Sequence, residues 1–189
     1  MTGIIILAAG PSSRLGKPKQ NLVYKGQTLL QRAIETACAS VCKPVIVVLG
    51  ADVDLIKPTI KDCNVKIIQN PDWQEGMASS IRLGIIELQK HEPKARAAIL
   101  MLCDQPFVDA ALLDQVVQKK ITKGIIACAY NDTTGPPVLF NATYFDELLL
   151  LTGQEGAKKL LLNYPDDVAV IPFLLGGIDI DTAEDYGKL

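Results

Sequence analysis

The chain has 189 residues, of which 49% are hydrophobic, 21% charged and 5% aromatic, a globular composition with enough apolar residues for one substantial core. Its formal net charge of −2 at pH 7 argues against a nucleic-acid-binding surface, which normally needs a net basic face. The opening apolar run is too short to span a bilayer and follows no basic leader, so we expect no membrane segment and a cytoplasmic protein.

Short apolar runs alternate with segments of helical spacing along the first two thirds of the chain. Nearly continuous apolar runs are typical of strands buried on both faces of a parallel sheet. The predicted strands are 4–8, 45–49, 65–68, 97–102 and 125–129, and the predicted helices are 28–39, 79–88 and 110–121. This alternation predicts an α/β fold, a Rossmann-like doubly wound, mostly parallel sheet with helices on both faces, in which residues 1–189 form a single domain.

The pattern changes in the last third of the chain. The segment Gly135-Pro136-Pro137 interrupts the alternation and precedes a short strand over 138–140. Helices are then predicted at 142–151 and 156–162, followed by a strand at 168–172. Thr182 is placed to cap a final helical turn, because threonine satisfies the free N–H groups at a helix start.

Ligands of open α/β sheets bind at the carboxyl ends of the strands, and the first such segment is LAAGPSSRLGKPKQ, residues 7–20. Its glycines allow close backbone approach, and exposed N–H groups in such a loop bind anions. Arg14, Lys17 and Lys19 add full charges for phosphate oxygens. The spacing matches neither the Walker loop nor the dinucleotide-binding glycine motif. We predict a phosphate-binding loop of another kind; the alternative is a solvated basic turn.

Carboxylates follow two later segments. Asp104 ends the strand over 97–102 and precedes Gln105-Pro106, so we expect its side chain to be exposed at the sheet edge. Asp179 and Asp181 are two residues apart in an extended segment and would therefore face the same side. Mg²⁺ commonly takes one or two carboxylates plus substrate phosphates. We predict that Asp104 and one of the other two bind Mg²⁺; the alternative is a capping or turn role for each.

The segment NPDWQEGMASSIRLGI, residues 70–85, places Gly76 and small residues at a predicted helix start. Free N–H groups at such a start favour anions or the polar edge of a base. The structural alternative is that Ser79 or Ser80 only caps the helix. Trp73 is the only tryptophan, and packing is the favoured use for it.

Together these segments resemble the molybdenum cofactor nucleotidyltransferases, the MobA-like group that includes the MocA-type cytidylyltransferases. The opening pattern of that group is matched by Leu7-Ala8-Ala9-Gly10, Ser12, Arg14, Gly16 and Lys19. The segments NPDWQEGMASSI, DQP, GPPVLF and DIDTAEDY are similar to that family in the same order across nearly the whole chain. The opening motif alone is shared with sugar-phosphate and methylerythritol cytidylyltransferases.

The resemblance implies a fold of the nucleotide-diphospho-sugar transferase type and a Mg²⁺-dependent enzyme. Such an enzyme transfers a nucleoside monophosphate from a nucleoside triphosphate to a phosphorylated small-molecule acceptor, here the molybdopterin cofactor, and releases pyrophosphate. The implied roles are catalytic contacts to the triphosphate for Arg14 and Lys19, Mg²⁺ ligation for Asp104 and Asp181, and nucleotide binding for Leu7, Ala8, Ala9, Gly10, Ser12, Gly76, Ser79 and Ser80. Transient contact with molybdoenzymes is implied as well.

Two alternatives to this function stay open, and so does the base. A sugar-phosphate or isoprenoid-pathway nucleotidyltransferase would share the opening motif, and a nucleotide-binding module without turnover would share the loop. By the resemblance, Ala9 stands where guanylyl-transferring members carry a second glycine, which favours CTP over GTP. Leu7 stands where cytidylyl members often carry threonine, which leaves GTP open.

Overall fold

A computed structural model describes residues 1–188 of the chain. Its strands are β1 (Thr2–Ala8), β2 (Val23–Tyr24), β3 (Gln27–Thr28), β4 (Val45–Leu49), β5 (Lys66–Gln69), β6 (Ala97–Leu102), β7 (Ile125–Tyr130), β8 (Thr133–Asn141) and β9 (Val168–Pro172). β2 and β3 form a small hairpin, and the other seven form one sheet in the order β5-β4-β1-β6-β8-β7-β9. Only β8 runs antiparallel to its neighbours within this sheet of the described chain. The predicted mostly parallel α/β sheet is confirmed.

The helices are α1 (Leu29–Ala39), α2 (Val53–Ile56), α3 (Met77–His91), α4 (Ala110–Lys119), α5 (Phe145–Leu149), α6 (Lys158–Asn163) and α7 (Ala183–Gly187). α1, α2 and α4 pack on one face of the sheet, and α3, α5 and α6 pack on the other. The sheet is therefore doubly wound, as predicted. Over residues 1–188, the helices are too short or too polar for any of them to cross a membrane.

The strand at the centre of the sheet explains the continuous apolar runs. Ile4, Ile5 and Ile6 of β1 are all fully buried. Ile4 and Ile6 belong to the core on one face and Ile5 to the core on the other, because successive strand side chains point to opposite faces. β1 lies between β4 and β6. The loop that follows β1 and the residues that follow β6 therefore leave the sheet side by side.

The structure corrects the secondary structure predicted for the last third of the chain. β8 begins at Thr133 and includes the Gly-Pro-Pro segment, so the prediction of a short strand starting at 138 was wrong. The prolines lack N–H donors, and the pairing of β7 with β8 shifts register opposite them, as prolines in sheets require. The predicted helix 142–151 is a 3₁₀ turn followed by the short α5, and α6 begins at Lys158. Thr182 caps α7 as predicted.

The start of α3 confirms the predicted helix start at Gly76 but not the serine cap offered as the structural alternative. The helix begins at Met77, and Gly76 is its N-cap residue. Ser79 and Ser80 therefore lie inside the first turn, and the interpretation of either as the cap was wrong.

Candidate active site

The loop after β1 is ordered by the side chain of Gln20, a residue for which the sequence predicts no role. The amide nitrogen of Gln20 donates to the carbonyl oxygens of Ala8 (2.9 Å) and Gly10 (3.1 Å), and Gln20 is 1% exposed. The Ser12 hydroxyl accepts a hydrogen bond from the backbone N–H of Lys19 at 3.0 Å. These bonds bring the end of the loop back over β1. The only sequence signal for Gln20 is an uncharged polar residue at the end of a cationic segment.

Gln20→Ala is expected to lower the free energy of unfolding by about 1–3 kcal/mol, because two carbonyl oxygens lose a buried donor. The loss of loop order should also weaken nucleotide binding. Chemical denaturation and calorimetric titration with CTP measure the two effects. An unchanged affinity for CTP in the destabilised variant would show that Gln20 supports the fold but not the loop.

Lys19 lies between the two carboxylates that were predicted to bind metal. Its Nζ is 2.5 Å from Oδ2 of Asp104 and 2.8 Å from Oδ1 of Asp181. Arg14 contacts the other oxygen of Asp181 at 2.7 Å. The side chains of Lys19 and Asp104 are 18% and 10% exposed, whereas that of Arg14 is 68% exposed. The structure thus brings all four predicted residues together, and it corrects the expectation that Asp104 is exposed.

The opposite charges in this cluster favour the ionised forms of Lys19 and Asp181. Burial disfavours the ammonium form of Lys19, but the charge of Asp104 and the hydrogen bonds to both carboxylates raise the pKa of Lys19 above its ordinary value. Burial also disfavours the ionised form of Asp181, but Lys19 and Arg14 lower its pKa overall. Asp179 differs, since burial and the charges of Asp181 and Asp104 raise its pKa. Of the two candidate aspartates, Asp181 is the one in contact with Lys19.

The C-terminal segment is fixed next to Asp104 by a buried residue. Ile180 is fully buried in a small apolar cluster with Leu22 and Leu29, and its N–H donates to the carbonyl oxygen of Asp104 at 3.1 Å. The hydroxyl of Tyr186 donates to the carbonyl oxygen of Val23 at 2.7 Å. The segment is therefore packed against the loop that carries the cations, which places Asp181 opposite Lys19.

A cavity of about 430 Å³ opens at this edge of the sheet, within the usual range of about 300–1,000 Å³ for small-molecule sites. We call it the nucleotide cavity, because most of the residues predicted to bind a nucleotide line it. The predicted residues that line it are Leu7, Ala8, Ala9, Gly10, Lys19, Gly76, Ser80 and Asp104. Ser12, Arg14, Ser79 and Asp181 are not among its lining residues in the part of the chain that the structure describes. The residues that line it without a predicted role include Gln20, Gln74, Met77 and Gln154.

Ser79 and Ser80 are ordered by Asn70, which is 2% exposed. The Asn70 amide donates to the two hydroxyls at 2.8 and 3.0 Å. The Ser79 hydroxyl donates a hydrogen bond to the carbonyl oxygen of Gly76 at 2.8 Å, so Ser79 fixes the turn into α3. Gly76 has φ of +125°, and a side chain there would collide with Gly153. Only glycine at position 76 allows the two backbone segments to lie this close. The close approach brings Gln154, the residue after Gly153, to the cavity.

Ala9 packs against Gly50, the residue that follows β4, at the same cavity. A side chain at Gly50 would meet both the methyl group of Ala9 and the Cβ of Trp73 within 3 Å. Gly50 is therefore packed between the loop after β1 and the turn that carries Trp73. The packing role expected for Trp73 is consistent with this contact, and Trp73 also lines the cavity.

The carboxylates fit a hard divalent cation. Oδ1 of Asp104, the oxygen that does not contact Lys19, is buried and has no hydrogen-bond partner within residues 1–188. Leaving a charged oxygen buried and unpaired is costly, and a metal ion would remove that cost. No group of three or more His, Cys, Asp or Glu side chains converges in the described chain. Further ligands would come from substrate phosphates and water, which is the usual coordination of Mg²⁺.

Comparison with known proteins agrees with the fold. The family model of the MobA-like NTP transferase domain matches residues 4–168. The nicotine blue oxidoreductase of Paenarthrobacter nicotinovorans is 32% identical over 200 residues, covering 100% of this chain and 96% of that protein. The molybdenum cofactor cytidylyltransferase of Escherichia coli strain K12 is 25% identical over 186 residues, covering 96% and 92% of the two chains.

A crystal structure of Rv0371c from Mycobacterium tuberculosis H37Rv is similar over 99% of this chain and 95% of that one, with a TM-score of 0.88 and 30% identity. A structure of Rv0371c in complex with manganese is similar over 100% of this chain and 96% of that one, with a TM-score of 0.82 and 28% identity. The family match covers most of the chain and includes the loop, the turn into α3 and Asp104. This chain belongs to the MobA-like NTP transferase domain family, and it is a nucleotidyltransferase.

Proposed function

We propose that this nucleotidyltransferase transfers CMP from CTP to the phosphate of a phosphorylated pterin, the molybdopterin cofactor, in a Mg²⁺-dependent reaction. The observation that carries the proposal is the contact of Lys19 with Asp104 and Asp181 at the mouth of a nucleotide-sized cavity. The cation can serve phosphate oxygens, and the carboxylates can serve a metal ion. The 25% identity to the cytidylyltransferase of Escherichia coli supports the choice of substrates.

In the proposed reaction an oxygen of the acceptor phosphate bonds to the α-phosphorus of CTP. The bond from the α-phosphorus to the bridging oxygen breaks, and pyrophosphate leaves with that electron pair. Such transfers depend on positioning and charge neutralisation more than on a protein nucleophile. Lys19 and Arg14 would hold the triphosphate oxygens and offset the charge of the leaving group. Asp104 and Asp181 would hold Mg²⁺, which neutralises charge on the transferring phosphate when bound.

The direct test is pyrophosphate release from each nucleoside triphosphate, with Mg²⁺ or Mn²⁺, and with molybdopterin or a sugar phosphate as acceptor. We expect release only when CTP, metal and molybdopterin are all present. Equal release with a sugar phosphate or with methylerythritol phosphate would favour the alternative acceptors. NADH oxidation is followed in parallel, because one relative is named as an oxidoreductase. Oxidation without pyrophosphate release would contradict the proposal.

We expect kcat/KM for CTP to exceed that for GTP by at least about tenfold. Ala9 packs on Gly50 together with Trp73, so the methyl group fixes how close the loop and the turn can lie where a base would enter. A larger purine would need a wider gap there, and polar edges that find no partner in a closed pocket discriminate strongly between bases. Competition between CTP and GTP for one acceptor measures the ratio. Equal or greater kcat/KM for GTP would overturn the cytidylyl assignment but not the nucleotidyltransferase class.

A further inference from the structure

A second cavity, of about 220 Å³, adjoins the nucleotide cavity. The two have a common wall, formed by Leu7, Met77 and Leu102. The floor of the second cavity consists of buried aliphatic side chains from both the sheet and the helices: Ile81, Leu100, Val138 and Leu161. The volume is below the range of about 300–1,000 Å³ for whole ligands. The cavity therefore suits one ring system of a ligand and not a complete nucleotide.

The rim of this cavity carries hydroxyl groups. Thr133, Thr134 and Tyr130 line it, and Lys158 is its only cation within the described chain. The ammonium group of Lys158 donates to the Thr133 hydroxyl at 2.7 Å, which connects α6 to β8. Burial raises the pKa of Tyr130, so its phenol stays a neutral donor. Within residues 1–188 the lining contains no carboxylate, which disfavours a positively charged ligand group, and its hydroxyl groups can serve the polar edges of an uncharged one.

The second cavity lies close to Asp104 and Lys19, the residues proposed to act on the phosphates. Leu102 lines both cavities and precedes Asp104 by two residues at the end of β6, a spacing of about 7 Å along an extended chain. A ring in the second cavity, carrying a phosphate on a short arm, would therefore place that phosphate beside Asp104 and Lys19. The nucleotide would enter from the other side of Leu102.

We propose that this second cavity, which we name the ring cavity, binds the flat, uncharged heterocycle of the acceptor while the acceptor phosphate lies at Lys19. The inference rests on the proposed function and specifies how its acceptor is recognised. A sugar ring would leave several hydroxyl groups without partners over the aliphatic floor, and unpaired buried polar groups are unfavourable. A heterocycle presents its faces to the aliphatic side chains and its polar edge to the threonine and tyrosine hydroxyls.

The test fills the cavity at Ala157, the N-cap residue of α6. Ala157 lines the ring cavity but not the nucleotide cavity, so Ala157→Phe should obstruct the ring only. Leu162→Phe is the matched control, because Leu162 lies in α6, the helix that Ala157 precedes, and is 73% exposed. Pterin without a phosphate is the probe, and its fluorescence reports binding. We expect Ala157→Phe to weaken pterin binding and raise the acceptor KM by at least about tenfold, with CTP affinity unchanged in both variants.

Three results would overturn the inference. Competition between pterin and CTP in the wild type, or an Ala157→Phe variant that binds pterin normally, would overturn the inference. So would tighter binding of ribose 5-phosphate than of pterin with the same dependence on residue 157. If the wild type bound pterin in this way but released no pyrophosphate from any triphosphate, the proposed function would fail while the ring cavity would stand.

Discussion

Replacing Asp104 with asparagine or alanine is expected to lower kcat by about a thousandfold, while the protein stays folded. Asp104 is the more buried of the two carboxylates that contact Lys19. Its unpaired buried oxygen is the atom best placed for a metal ion. Both substitutions remove the charge that such an ion needs, and asparagine preserves the shape of the side chain, so a loss in both variants cannot be ascribed to packing.

The measurements are steady-state pyrophosphate release and Mn²⁺ binding in the presence of CTP. Circular dichroism and thermal unfolding report whether each variant is folded. Asp62→Ala is the control, since Asp62 is an exposed aspartate after α2, and we expect it to have wild-type activity. Metal-dependent activity near the wild-type level in Asp104→Asn would show that the metal is held elsewhere.

The second carboxylate is tested by the pair Asp181→Asn and Asp179→Asn. Asp181 contacts both Lys19 and Arg14, so we expect its substitution to lower kcat by about a hundredfold or more. Asp179 has a raised pKa and no such contact with Lys19 among the described hydrogen bonds, so its substitution should have the smaller effect. The reverse order would move the second ligand to Asp179. The same kinetic assay compares the two variants.

The sequence was sufficient to predict most of the sheet, because parallel strands buried on both faces have a continuous apolar pattern. It also indicated the cationic loop and the aspartates, since glycine, serine and charged residues at the carboxyl ends of strands have few structural uses. Gly135-Pro136-Pro137 was misread because proline normally ends a strand, whereas here the register shift beside it preserves the pairing. Local pattern carries no information about the partner strand.

The side chains that shape the site were harder to predict for a similar reason. Gln20 orders the loop through carbonyl oxygens ten and twelve residues earlier, and Gln154 reaches the cavity only because Gly76 admits the backbone of Gly153. The contact of Lys19 with both carboxylates joins residues 85 and 162 positions apart. Such contacts depend on tertiary packing. A sequence motif can therefore identify the residues of the site, but it cannot predict which side chains they contact in the folded protein.

Lys19→Ala is expected to lower kcat by about a hundredfold or more and, in the absence of nucleotide, to increase the affinity for Mn²⁺. In the structure the Lys19 ammonium bridges the carboxylates that would hold the metal. A free metal ion must therefore displace a well-paired cation, whereas a nucleotide can draw Lys19 away to its phosphates. Without the ammonium group, Asp104 and Asp181 are two neighbouring negative charges, and their repulsion favours a divalent cation.

Isothermal titration or electron paramagnetic resonance with Mn²⁺ alone measures this affinity independently of turnover. Arg14→Ala is the informative comparison, because Arg14 is mostly exposed and contacts Asp181 only among the described ion pairs. We expect that variant chiefly to raise the KM for CTP, with a smaller loss in kcat and little change in Mn²⁺ affinity. Lys61→Ala, at an exposed lysine after α2, controls for the loss of a positive charge. Weaker or unchanged Mn²⁺ binding in Lys19→Ala would mean that Lys19 does not compete with the metal, and its contact with Asp104 would then serve only to orient the carboxylate.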